Sequence, residues 1–155
     1  MLRGDVMKVN NNAEMLANLT FNLLARCQEK ETYLAEKHDL FEAELKCLRL
    51  MSSEESLNNS ELAVKMNLSP SRITRIIDGL IKKGYVLREI NKNDRRNMII
   101  CLSKRGKNLT NKLNKAFLEI HKEILEDIDY SEHEALLIAM GNLYKAVEKW
   151  LKKPR

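Results

Sequence analysis

Apolar residues recur at helical spacing along most of the chain, and the period changes once, after Gly84. Leu16, Leu19, Leu23 and Cys27 predict a first helix that follows the polar start Asn10-Asn11-Asn12 and runs to about Glu31. Phe41, Leu45, Leu48 and Met51 predict a second, ended by Ser52-Ser53 and Leu57-Asn58-Asn59. Ser60 is positioned to cap a short third helix carrying Leu62, Ala63 and Met66, and Asn67 breaks it. Ser69-Pro70 then starts a fourth helix. Ser accepts from exposed N–H groups at a helix start, and Pro at the first helical position loses no hydrogen bond there. Ile73, Ile76, Ile77 and Leu80 form its inward stripe, and Gly84 closes it.

After Gly84 the segments Tyr85 to Ile90 and Met98 to Leu102 favour strands, with polar residues 91–97 between them. They predict a hairpin with a basic tip. Ser103 caps a fifth helix with Leu109, Leu113, Phe117, Ile120 and Ile124 on one face, and Leu118 and Leu125 on the other. A capping box from Ser131 to Glu134 opens the last helix, striped by Leu136, Met140, Leu143, Val147 and Trp150 and widened by Leu137 and Tyr144. The fold class is mainly α: a winged helix-turn-helix with a two-stranded β wing, between long N- and C-terminal helices.

Composition narrows the picture. With 155 residues the chain is one domain, able to bury ~70% of its unfolded surface without disulfide or metal staples. The 5 Gly and 2 Pro are too few for a turn-rich all-β fold. The apolar run Ala135 to Met140 falls far short of a membrane span, so no membrane partner is expected. The N-terminus has no secretory pattern, and three separated cysteines read as reduced thiols in a cytoplasmic protein.

Charge is the more telling quantity. The net value of +5 is unevenly distributed. Residues 60–110 hold 12 Lys and Arg against 4 Asp and Glu, a balance of +8, while the remaining 15 basic and 18 acidic residues balance to −3. A basic middle on a neutral scaffold points to a polyanion.

In a winged helix-turn-helix the second helix of the pair enters the major groove. With its isoleucines inward, the fourth helix turns Ser71, Thr74, Arg75, Asp78 and Lys82 outward, with Arg72 on the flank. Arg72 and Arg75 can reach guanine edges or phosphates, and Ser71 and Thr74 offer hydroxyls. The helix start at Ser69 and Pro70 suits a phosphate. The tip carries Lys92, Asp94, Arg95 and Arg96. A projecting guanidinium there can enter a minor groove, with Asp94 holding Arg96 and shaping the turn. An ordinary solvated helix face and a polar turn are the bland alternatives.

The chain resembles the MarR-type transcriptional regulators over roughly residues 40–113. The resemblance lies in Glu44-Leu45-Lys46-Cys47-Leu48, Asn59-Ser60-Glu61-Leu62-Ala63, and Leu68-Ser69-Pro70-Ser71-Arg72-Ile73-Thr74-Arg75. It continues through Ile77-Asp78-Gly79-Leu80-Ile81-Lys82-Lys83-Gly84-Tyr85-Val86, Asp94-Arg95-Arg96 and Leu102-Ser103-Lys104-Arg105-Gly106. Phe41 and Ser103 stand where Thr is common. The resemblance implies a homodimer on a pseudo-palindromic double-stranded operator, Ser71, Arg72, Thr74 and Arg75 in the major groove, and an Asp94–Arg96 wing pair. It implies a winged lobe over residues 40–105 and dimerisation helices over 10–35 and 104–152. It further implies a repressor relieved by a small aromatic or phenolic effector, or by an oxidant. The expected crevice residues are Arg26, Cys27, Tyr33, His38, Met51, Phe117 and His121.

Other chemistry finds little in the sequence. His38, His121 and His133 are scattered and no metal-ligand spacing occurs, so neither metal nor cofactor is expected. No nucleophile elbow or phosphate-binding glycine loop suggests an enzyme. The alternative from another class is a winged-helix interaction or adaptor module without DNA binding. The four arginines at positions 72, 75, 95 and 96 weigh against it.

Overall fold

A computed structural model describes residues 3–53, 56–90 and 98–154, with side chains from residue 8 onward. The chain divides into two units, residues 1–113 and 114–155. Helix α1 spans Arg3–Lys37, beginning earlier and ending later than the apolar stripe predicts. The three asparagines lie inside it. Each costs a helix less than ~1 kcal/mol relative to Ala, and no Gly or Pro follows to stop it. It ends where Asp39 adopts φ +55 and Leu40 donates its N–H to Ala35 O at 2.9 Å.

Helix α2, Glu42–Met51, buries Leu45, Cys47, Leu48 and Met51, and also Glu44. Phe41 precedes it and has no capping oxygen, so its N–H donates to Glu44 Oε2 at 2.9 Å. Glu44 Oε2 also accepts from Lys83 Nζ at 2.7 Å, and the same ammonium donates to Asp39 O at 2.8 Å. This pair ties α2 to Lys83, which follows the fourth helix. A buried carboxylate needs such partners, since an uncompensated charge there is strongly destabilising.

Helix α3, Asn59–Met66, is capped by Asn58 rather than Ser60. Asn58 Oδ1 accepts from Glu61 N at 2.9 Å and Glu61 Oε2 accepts from Asn58 N at 2.7 Å, a reciprocal box. Two cap-competent residues stand close together, and Glu61 three positions on selects Asn58. Replacing Asn58 by Ala is expected to cost about 1 kcal/mol in urea denaturation. Leu57 corrects the reading of its segment as a helix end. It forms an isolated antiparallel bridge with Ile100, exchanging N–H···O bonds of 3.0 and 2.7 Å.

Helix α4, Pro70–Lys82, starts as expected, with Ser69 Oγ accepting from Arg72 N at 3.4 Å. Ile73, Ile77 and Leu80 are fully buried, while Ile76 is half-buried. Gly84 takes φ +77, and β1 (Val86–Ile90) pairs antiparallel with β2 (Met98–Leu102), from Val86↔Leu102 to Ile90↔Met98. Helix α5, Lys104–Glu126, is capped by Ser103, whose Oγ accepts from Gly106 N at 2.9 Å and donates to Gly84 O at 2.7 Å. The core of the first unit joins Leu34, Leu45, Leu48, Leu62, Ile73, Ile77, Leu80, Val86, Ile100 and Leu113.

In the second unit the expected Ser131–Glu134 box is absent. Asp129 Oδ1 accepts from Ser131 N at 2.9 Å and from its hydroxyl at 2.6 Å, forming a 3₁₀ turn over Tyr130–Glu132. These two bonds hold the Asp129 carboxyl below the usual carboxylate range. Helix α6, His133–Leu151, follows without a side-chain cap and buries none of its residues.

Candidate nucleic-acid interface

The pair α3–α4 with the β1–β2 hairpin sets the geometry of the site. Burial of Ile73, Ile77 and Leu80 fixes the rotation of α4, and so turns Ser71, Arg72 and Arg75 to solvent. Neither arginine is ion-paired to a described residue, which leaves both guanidinium groups available. Ser69 Oγ and Ser71 Oγ lie 3.2 Å apart at the helix start, beside Pro70. Backbone N–H groups at such a start favour a phosphate.

Thr74 is less free than its place on the outer face predicts. Its hydroxyl donates to Pro70 O at 3.0 Å and accepts from Asn59 Nδ2 at 3.1 Å. The one hydroxyl hydrogen is used within the fold, so what remains is acceptor capacity. That suits the amino group of a base rather than a phosphate oxygen, which only accepts.

Beside this face lies an ion pair that the sequence reading did not foresee. Asp78, on the outer face of α4, is paired with Arg88 of β1 at 2.8 Å. Arg88 in turn lines a cleft with Asn58, Asn59, Ser60, Met98 and Ile100, where the start of α3 meets the wing. The spacing of ten residues across a turn gives no periodic signal for this pair. Lys92, Asp94, Arg95 and Arg96 lie outside the described residues.

The expected crevice residues fall in different surroundings. In the first unit Arg26 is exposed and paired with Glu29 at 2.6 Å, whereas Met51 is buried in the core with Cys47 Sγ 4.0 Å from its sulfur. Tyr33 lines an open pocket with Ala25, Gln28, Thr32 and three glutamates. His38 is half-buried, and burial with Lys37 and Lys112 nearby lowers its pKa. In the second unit Phe117 and His121 stack at 5.0 Å, and His121 Nδ1 donates to Phe117 O at 2.6 Å.

The three cysteines are free. Burial, with Glu44 nearby, pushes the Cys47 thiol up to about 12. On the order of one such thiol in 10⁵ is ionised at pH 7, so maleimide is expected to modify Cys47 at neutral pH only after unfolding, as mass spectrometry would show. Burial also raises Cys101. Cys27 is half-buried in α1. Among the described residues no group of three or more His, Cys, Asp or Glu is placed to hold a metal ion. No helix among them is long and apolar enough to cross a membrane.

Fold and exposed face together define a winged helix-turn-helix regulator of the DNA-binding class. The MarR family model matches residues 40–98. The HTH-type transcriptional regulator SarZ of Staphylococcus haemolyticus is 33% identical over 106 residues, covering 68% of this chain and 69% of the relative. YfiV of Bacillus subtilis, also an HTH-type transcriptional regulator, is 31% identical over 72% of this chain and 70% of its own. Among solved structures, a MarR mutant from E. coli superposes with TM-score 0.74 at 20% identity, over 83% of this chain and 96% of that one. A MepR mutant from S. aureus gives 0.76 at 15% identity, over 84% and 97%. The chain belongs to the MarR family, whose members are transcriptional regulators rather than enzymes.

Proposed function

We propose that the protein is a cytoplasmic, homodimeric, sequence-specific repressor of transcription that binds a pseudo-palindromic duplex. The observation that carries this reading is the exposed face of α4, on which Arg72 and Arg75 have no ion-pair partner among the described residues. A MarR mutant from E. coli solved with operator DNA supports it, with TM-score 0.68 at 20% identity over 86% of this chain and 96% of that one. Ser69, Pro70 and Ser71 take a backbone phosphate, Arg72 and Arg75 the groove, and Thr74 a base amino group. Residues 40–105 form the DNA-binding lobe, and the wing residues Lys92, Asp94, Arg95 and Arg96 meet the minor groove.

Dimerisation falls to residues 10–35 and 104–152. Leu137, Ile138, Tyr144 and Trp150 of α6 are each more than half exposed, as are Leu19, Leu23 and Leu24 of α1. Apolar surface of that extent marks an interface, and a second copy of the chain supplies a matching one. A small aromatic effector relieves repression in this reading.

The test is selection of binding sites from a random pool of duplexes, followed by titration of the enriched duplex against salt. Two half-sites about one helical turn apart, near 34 Å, are expected. Log affinity is expected to fall linearly and steeply with log salt. A flat response between ~50 and ~200 mM salt, or no enriched sequence, overturns the proposal.

A further inference from the structure

Asp78 poses a problem for the reading face. It follows Arg75 by three positions and Thr74 by four, so it shares their side of α4, and its carboxylate would meet DNA with the wrong sign. The structure gives it a partner from another element, Arg88 Nη2 at 2.8 Å from Asp78 Oδ1. Arg88 is itself held in register. It sits opposite Ile100 in the hairpin, and Ile100 bridges Leu57, the residue just before the Asn58 cap of α3. Both helices of the motif are thus tied to the wing, α3 through the ladder and α4 through the ion pair.

We propose that Asp78–Arg88 is a clasp that positions the reading arginines, a role resting on the DNA-binding reading above. Both side chains are partly exposed, 55% for Asp78 and 35% for Arg88, and exposed ion pairs contribute little to folding. The function of the pair therefore lies in binding. Held by Arg88, Asp78 is neutralised toward phosphates and kept from pairing with Arg75 one turn back along the helix. Released, it would do both kinds of harm: repel the duplex and draw Arg75 away from a base. Arg88 acts through Asp78 and is a positioning residue.

The experiment measures affinity and salt dependence for the duplex that the wild-type chain enriches from a random pool. Arg88→Gln is expected to bind roughly tenfold or more weakly, because it exposes a carboxylate to like charge. Adding Asp78→Asn to that variant removes the offending charge. The double variant is expected to recover to within about threefold of wild type, with an unchanged salt slope. Arg88→Lys, which keeps the cation, is expected to bind nearly as wild type, and thermal denaturation of each variant checks folding. An equal loss on Arg88→Gln in both backgrounds, with the slope reduced by about one, makes Arg88 a phosphate ligand and overturns the clasp. Loss on Arg88→Lys equal to that on Arg88→Gln also overturns it. Failure of the wild-type chain to enrich any duplex is a separate result, which removes the DNA-binding reading itself.

Discussion

A protein carrying Ala at both Arg72 and Arg75 is expected to lose on the order of 10³-fold or more in affinity for its selected duplex. Each charge-assisted arginine contact to a base or a phosphate contributes on the order of 1 kcal/mol or more, and the proposed dimer makes four. The salt slope separates the two roles open to an arginine at this face. Phosphate contacts lower the slope by about one each and weaken all sequences alike, while base contacts leave it unchanged and relax preference at one position. Arg75, in the second turn and alongside Thr74, is expected to show the base pattern. Arg72, in the first turn beside the Ser69 cap, is expected to show the phosphate pattern. Sedimentation should find the proposed dimer intact, since neither residue belongs to the exposed apolar faces of α1 and α6. Unchanged affinity in the double variant would favour the adaptor reading, in which this face is only a solvated helix surface.

The reading helix was legible because its determinants are local. Ser69-Pro70 sets its start, three buried residues set its rotation, and both facts depend on neighbours within four positions. The hairpin was legible for the same reason, and β2 has the predicted bounds. What escaped depends on pairings distant in sequence. Leu57 bridges to the edge of β2 because Ile100 offers it free backbone groups there, and nothing near Leu57 announces that. Glu44 is a buried charge satisfied by Lys83, 39 positions on, although its place on the apolar side of α2 gives no sign of it. Competition between caps was a subtler loss. Asn58 prevails over Ser60, and Asp129 over Ser131, because each places its oxygen on an exposed N–H two or three residues on. Thr74 was placed on the correct face, yet its hydrogen was already used by Pro70 O.

Gly106→Ala is expected to destabilise the protein by ~3 kcal/mol or more, opposite in sign to helix propensity. In a helix Ala is favoured over Gly by about 1 kcal/mol, and α5 contains Gly106 in its first turn. A Cβ at Gly106 would collide with the carbonyl oxygen of Tyr85 and lie 2.9 Å from its carbon and 3.3 Å from Leu102 Cδ2. Backbone cannot yield as a flexible side chain does, so α5 must move away from the start of β1. That movement pulls on three hydrogen bonds: Ser103 N to Tyr85 O, Gly106 N to Ser103 Oγ, and Ser103 Oγ to Gly84 O. Each is worth about 1 kcal/mol, and overpacking adds a further ~1–3. It also separates the Arg105 guanidinium from the Tyr85 ring, now 5.0 Å from its centroid. Gly141→Ala in α6 provides the control, because a Cβ there meets nothing within 4 Å in its own chain. Urea denaturation should show a gain of up to ~1 kcal/mol at Gly141 and the loss at Gly106. Because the strained junction joins the wing to α5, DNA affinity at a temperature where Gly106→Ala remains folded should fall as well. Equal stability of Gly106→Ala and wild type would mean that α5 and the Tyr85 carbonyl stand farther apart than this contact requires.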